Sequence, residues 1–275
     1  MNPHAMKSVW PLALIKSLIV NRSLMFSMVK REIVGRYRGS IFGLLWSFFN
    51  PVLMLSVYTF VFSVVFKARW QGGVGSKTEF ALIVFSGLMI FNLFSESVSR
   101  APSLVLSNIN YVKKVIFPLE LLPVISLGSV AFHFLVSLVV WLFFFCLFFG
   151  VPPLTIFLLP LIIVPLALNA LGFSWFLASL GVYIRDVAQF VSVFMTVLMF
   201  LSPIFYPIAS LPEEYRLLMN INPITFVVEQ ARNVMIFGRS MDWMPWLSEL
   251  MFSSLVASLG FAWFQRTRKG FADVL

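Results

Sequence analysis

The chain has 275 residues, 60% hydrophobic and 11% charged, with 20 basic and 11 acidic side chains giving a net charge of +9 and a mean hydropathy of +0.95. A soluble domain carries roughly 25% charge, and a globule this apolar would expose patches that aggregate in water. The composition excludes a water-soluble fold and makes lipid the solvent for most of the chain.

Residues 1–38 precede the first long apolar run. They do not read as a secretory signal, which would show a short apolar core and a small-residue cleavage site. Ile15, Ile19, Phe26, Val29 and Ile33 fall on one helical face, with Lys16, Ser23, Ser27 and Lys30 on the other. That pattern predicts an amphipathic helix lying in the membrane interface. A basic elbow, Arg36-Tyr37-Arg38-Gly39, then turns the chain into the bilayer.

A spanning helix needs about 20 mostly apolar residues to cross a hydrocarbon core roughly 30 Å thick. Gly39–Phe66 is free of charge for 28 residues and predicts a first span at 39–66. Phe80–Ser95 is charge-free for 16 residues. Glu96 and Arg100, a favourable i, i+4 pair, carry that helix on, so the second span is expected at 80–107. Leu121–Ile184 holds no charge for 64 residues. As one helix it would measure about 96 Å at roughly 1.5 Å per residue, so it must fold back. Gly150-Val151-Pro152-Pro153 supplies the turn, leaving spans at 121–149 and 154–183. A fifth span is expected at 187–206 and a sixth at 246–264. Between them, 207–245 is broken by Pro207, Pro212 and Pro223 and mixes apolar with charged residues. Irregular backbone at membrane depth survives only where protein covers it or it lines a water-filled cavity. The segment therefore predicts short re-entrant or external helices. The expected fold is an all-α integral membrane protein in one domain, 1–275: six transmembrane helices, an N-terminal amphipathic interfacial helix, the 207–245 cap and a tail at 265–275.

Six spans put both ends of the chain on one side. That side carries 14 of the 20 basic residues, the other six being balanced by six acidic ones, so the whole excess of +9 lies with the N-terminus. The positive-inside rule makes this side cytoplasmic. Such a collar gives no reason to expect nucleic acid.

The remaining inventory argues against an enzyme. Cys146, the single cysteine, lies in the apolar run Leu142–Phe149 and reads as a small buried hydrophobe. His4 and His133 are the only histidines, and no Gly-x-x-x-x-Gly-Lys-Ser/Thr loop is present to cradle ATP phosphates. No clustered carboxylates or nucleophile and base pair offer a catalytic constellation. The spans carry aromatic surface instead. Phe42, Trp46 and Phe49 share one face of the first span, while Tyr58, Phe62 and Phe66 share another; Phe190, Phe194, Leu201 and Phe205 repeat at helical spacing in the fifth, with Tyr206 alongside. Lipid contact or helix packing explains most such rings. A lining for a sugar polymer is the functional alternative, because the C–H faces of sugars stack on aromatic rings. Two short loops on the cytoplasmic side are expected to dock a partner. One is 108–120, with Tyr111, Lys113, Lys114, Phe117, Pro118 and Glu120, and the other is the turn at Arg185 and Asp186.

Read together, Arg36-Tyr37-Arg38-Gly39-Ser40, Gly43-Leu44-Leu45-Trp46, Asn50-Pro51 and the run from Val57 to Phe66 resemble the first span of ABC-2-type permeases that export cell-surface polysaccharides. The resemblance continues through Lys113-Lys114, Phe117-Pro118-Leu119-Glu120, Pro123, Arg185-Asp186, Pro203-Ile204-Phe205-Tyr206-Pro207, Asn222-Pro223 and Phe271-Ala272-Asp273. It implies a homodimer of six-span subunits in the bacterial plasma (inner) membrane, both termini cytoplasmic. Each subunit would dock on a separate ATP-binding subunit that holds the ATP and magnesium, leaving no cofactor in this chain. Residues 108–120 would form a coupling helix, with Arg36 and Arg38 beside it, and spans one and five would line the pathway. The implied cargo is an undecaprenyl-linked polysaccharide, with O-antigen favoured over teichoic acid or capsule. A drug or small-lipid exporter of the same superfamily, or a non-transporting envelope-assembly scaffold, are the alternatives.

Overall fold

The computed structural model describes residues 11–65, 70, 77–113 and 117–275, and among these the regular structure is all helical. Two helices, α1 (Pro11–Val20) and α2 (Arg22–Arg36), lead to the elbow. A 3-10 turn at Gly43–Leu45 opens α3 (Trp46–Tyr58), which continues as a π-helix over Thr59–Val65. Then come α4 (Lys77–Leu104), the short α5 (Ile109–Lys113) and α6 (Leu121–Phe149). A 3-10 segment at Leu154–Leu158 precedes α7 (Leu159–Tyr183), followed by α8 (Val187–Phe200). The cap contains α9 (Glu213–Ile221) and α10 (Pro223–Met235), and the chain closes with α11 (Trp243–Thr267) and α12 (Phe271–Val274).

Local chemistry sets the breaks. Gly150, at φ +84°, ends α6 in the left-handed region that favours glycine. Asn222 caps α10 by accepting from the Ile224 amide at 3.0 Å, with Pro223 at the first helical position. The centre of the bundle is α4, buried around nearly its whole circumference, with α6, α7, α8, α10 and α3 packed on it. Along α7 and α11 the contacts advance together. Trp246 Nε1 donates to the Leu161 carbonyl at 3.1 Å, Asn169 Nδ2 to Glu249 Oε1 at 3.1 Å, and the Ser179 and Thr267 hydroxyls meet at 2.6 Å. The two helices are therefore parallel. They touch backbone to backbone: a Cβ added at Gly260 would stand 2.1 Å from the Gly172 carbonyl oxygen. Such close approach substitutes packing and small residues for the hydrophobic effect, which lipid does not supply between helices.

Several expectations change. Among the described residues, five helices are long and apolar enough to cross a membrane, starting at Gly43, Thr78, Leu121, Leu154 and Trp243. The expected fifth span at 187–206 is not one helix. Its helical part, α8, has 14 residues, about 21 Å at roughly 1.5 Å per residue, short of the ~30 Å core. It stops before Pro203, which has no N–H to continue the ladder. The first span becomes helical at Gly43 rather than at 39, and the last helix starts at Trp243 and runs to Thr267, beyond the expected 246–264. The N-terminal region is two helices broken at Asn21, not one amphipathic rod. Leu14, Leu18, Met25, Met28 and Val29 pack on the bundle, leaving Ile15, Ile19 and Phe26 exposed. Cys146 is exposed rather than buried. The lipid-facing side of a spanning helix is as apolar as its packed side, so composition alone could not place it.

Candidate functional site

On the side of the chain that holds the N-terminal helices, Tyr111 and residues 117–120 are fastened from behind. Phe117 is buried and stacks on Tyr111 with ring centroids 4.7 Å apart. The Tyr111 hydroxyl accepts from Arg31 Nη2 at 2.7 Å, which ties the segment to α2. Pro118 is half-buried. Glu120, although expected in a docking loop, turns its carboxylate inward. It accepts from Ser17 Oγ of α1 at 3.2 Å and from Arg268 Nη1 at 2.9 Å, while its carbonyl accepts from Trp175 Nε1 of α7 at 3.0 Å. Glu120 can thus act on a partner only through the segments it holds together. Lys114 and the Lys113 side chain lie outside the described residues.

Next to this clamp, α2 is bound to α4 by ion pairs. Arg36 pairs with Glu96, Arg100 with Glu32, and Arg100 Nη1 also lies 3.6 Å from Glu96 Oε1, as the i, i+4 spacing predicts. Tyr37 follows directly; burial pushes its phenol above the ordinary value, with Arg36 pulling the other way, so it remains a neutral hydroxyl. Arg38, Arg185 and Asp186 are exposed.

The aromatic stripes divide between two surfaces of the single chain. Phe42, Trp46 and Phe49 form an exposed edge-to-face cluster with centroids 5.7 to 6.4 Å apart. On α8, Phe190 and Phe194 stack at 6.2 Å and are exposed. They line an apolar groove of about 530 Å³ with Phe94, Phe173 and Phe176 from α4 and α7. Tyr58 is half-buried against the core. Phe205, expected on the same helical stripe as Phe190, lies past the end of α8 and stacks on Phe62 at 5.4 Å, with Phe200 at 6.1 Å. The two stripes therefore meet through Phe62 and Phe205 at the end of α8. Tyr206 donates to the Phe200 carbonyl at 2.9 Å.

The cap is built on a residue the sequence did not single out. Arg232 of α10 is buried; its Nη1 and Nη2 donate to the Pro203 and Ile204 carbonyls at 2.6 and 2.7 Å, and its guanidinium lies 4.6 Å over the Trp70 ring. Glu229, one turn earlier, is 3.7 Å away. A single arginine thus holds the backbone just beyond α8 and receives the carbonyls that Pro203 leaves outside the helix. The readable signal is its setting: Val228, Ala231 and Met235 surround it at helical spacing, a pattern that buries whatever charge it contains. Arg268 is a second buried arginine, and nothing in its local sequence separates it from the other basic residues of the N-terminal side.

The sequence matches the family model described as ABC-2 type transporter over residues 23–236. The O-antigen export system permease protein RfbA of Myxococcus xanthus is 28% identical over 262 residues, which cover 94% of this chain and 98% of that protein. A protein of the same name from Klebsiella pneumoniae is 24% identical, covering 92% and 95%. The capsule polysaccharide export inner-membrane protein CtrC of Neisseria meningitidis is 24% identical, covering 96% and 98%.

Proposed function

The chain belongs to the ABC-2 type transporter family, and we propose that it is the membrane permease of an exporter that moves a lipid-linked cell-surface polysaccharide, O-antigen in the first instance, across the bacterial inner membrane. The observation that carries the cargo is the likeness, over nearly the full length of both chains, to permeases named for O-antigen export. Permeases of this family work with ATP-binding subunits. In the proposed complex such a subunit docks on the face formed by α2, residues 108–120 and the exposed Arg185 and Asp186.

The proposal includes six crossings with both ends cytoplasmic. The parallel course of α7 and α11 supports it: a chain that leaves α7 at one side must return before α11 begins. The return uses α8 plus the non-helical stretch to Tyr206, covered by α10 as irregular backbone at membrane depth requires. The positive excess on the N-terminal side supports the orientation. A homodimer is proposed because the aromatic faces of α3 and α8 are left exposed by the single chain, and two copies could enclose an uncharged lining. On such rings a polymer slides without being held by ionic contacts.

In this reading ATP-driven closure of the partner pushes the 108–120 segment. The Glu120 clamp passes the push to α1, α6, α7 and the end of α11 as one body, and α3 and α8 separate. Two experiments test this. Copurification with the candidate ATP-binding subunit is expected to give a stable ATP-hydrolysing complex, and its absence refutes the exporter assignment. The combined replacement Trp46→Ala, Tyr58→Ala and Phe194→Ala is expected to abolish surface polysaccharide; normal polysaccharide in that variant refutes the aromatic lining and favours a small-molecule cargo.

A further inference from the structure

Between α2, α3, α4 and α6 lies a second cavity, of about 270 Å³, whose lining includes none of the exposed rings Phe42, Trp46, Phe49, Phe190 and Phe194. Its lining is out of character for the depth at which it sits. Asn92 is near the middle of the second spanning helix and His133 near the middle of the third, with Asn50 contributed by the first. Asn50 and Asn92 are exposed, and their side-chain amides make no hydrogen bond among the described residues. His133 Nε2 is buried without a partner, while its Nδ1 lies 3.4 Å from the Tyr37 hydroxyl. A polar group left unpaired in an apolar environment costs on the order of 1–3 kcal/mol. That cost falls on His133 Nε2 alone; the Asn50 and Asn92 amides are exposed, and together the three give one space a polar lining that suits a polar occupant.

The chemistry of the lining narrows that occupant. The charges at its edge cancel, since Arg36 is paired with Glu96, so the site has no net positive charge to favour a phosphate. The carboxylate is already shared between Arg36 and Arg100, which leaves a metal cation poorly served. Each amide offers donors and an acceptor together, the pattern that vicinal hydroxyls require. Met89, Leu93 and Val130 supply apolar walls for the C–H faces of a ring. The volume is below the roughly 300–1,000 Å³ of pockets for drug-sized ligands, enough for one sugar ring and not for an oligomer. A wider cavity of about 990 Å³ at the α2 face shares Arg36 and Glu96 as a wall, so the ion pair stands between the interface and the deeper site.

We propose that this cavity binds one neutral sugar unit of the cargo through Asn50, Asn92 and His133. The proposal rests on the polysaccharide reading above and adds a site inside each subunit.

The test uses the full chain with Asn50→Leu and Asn92→Leu, singly and together, neither residue having been placed in the aromatic lining or the docking face. If the cavity holds a sugar, the double variant is expected to unfold no more easily than the unaltered chain, because unpaired amides are removed, while surface polysaccharide falls about tenfold, the equivalent of one or two lost hydrogen bonds. Polysaccharide released from the same cells by mild acid is expected to raise the melting temperature of the solubilised protein and not that of the double variant; inorganic phosphate is expected to shift neither. Normal export in the double variant, in cells where deleting the chain abolishes export, overturns the site and makes it a water-filled cavity. A shift with phosphate that the variants remove also overturns it, in favour of an anion site. Surface polysaccharide that persists when the chain is deleted refutes the export reading itself, and the proposal with it.

Discussion

Replacing Arg268 by Met in the intact chain removes the cation of a buried pair while keeping most of the side-chain length. The Arg268 and Glu120 side chains are 1% and 2% exposed, with Nη1 and Oε2 at 2.9 Å. Removing one partner of a buried pair costs about 3–5 kcal/mol, because the remaining charge loses its compensation in a medium that solvates it poorly. The Ser17 hydroxyl at 3.2 Å still donates to Glu120 and offsets about 1 kcal/mol of that. The expected loss is therefore about 2–4 kcal/mol, read from unfolding titrations of the solubilised protein. Adding Glu120→Gln neutralises the carboxylate and keeps an acceptor for Ser17, so the double variant is expected within about 1 kcal/mol of the unaltered chain. The coupling energy from the four proteins then exceeds about 1 kcal/mol. In the reconstituted complex either single variant is expected to hydrolyse ATP with little export, and the exchanged pair Glu120→Arg with Arg268→Glu to recover part of it. A cost below about 0.5 kcal/mol for Arg268→Met, or strict additivity in the double variant, would show that the pair does not join the docking segment to the C-terminal end.

Arg232→Lys keeps the charge but cannot reach both the Pro203 and Ile204 carbonyls, and is expected to cost about 2 kcal/mol in the same titration; equal stability of the two residues would refute the clamp. Gly260→Ala drives a methyl group toward the Gly172 carbonyl oxygen and is expected to destabilise by about 1–3 kcal/mol, whereas an unchanged midpoint would show that α7 and α11 are not so close. Phe190→Ala with Phe194→Ala removes exposed rings, so unfolding is expected to move by less than about 1 kcal/mol while surface polysaccharide drops; unchanged export would assign these rings to lipid.

How much was legible in the residues depended on what kind of force was responsible. The third span, 121–149, coincides with α6 because charge-free length and the Gly150 turn are local signals that lipid enforces strictly. The 207–245 segment was expected to be short helices because three prolines forbid a long one, and α9 and α10 follow from Pro212 and the Asn222-Pro223 cap. The end of α8 at Phe200, within the fifth span expected at 187–206, was not visible. Hydropathy continues unbroken to Tyr206, and what permits the helix to stop is an arginine 32 residues beyond Phe200 that takes up the loose carbonyls. Glu120 was expected to face a partner, because nothing local distinguishes an exposed carboxylate from one whose cation arrives from residue 268.

Composition and charge distribution by themselves determined that this is an apolar, membrane-type chain with several helix-length charge-free runs, and that its sequence carries no P-loop motif. Those properties are sums over local transfer energies, and every residue contributes wherever it packs. The tertiary structure alone decided which charges are buried and paired, which aromatic rings stay exposed, and that three unpaired polar groups from three spans converge on one cavity. Each of these depends on residues distant in the chain meeting at a few ångströms, a relation that hydropathy and helical periodicity do not encode.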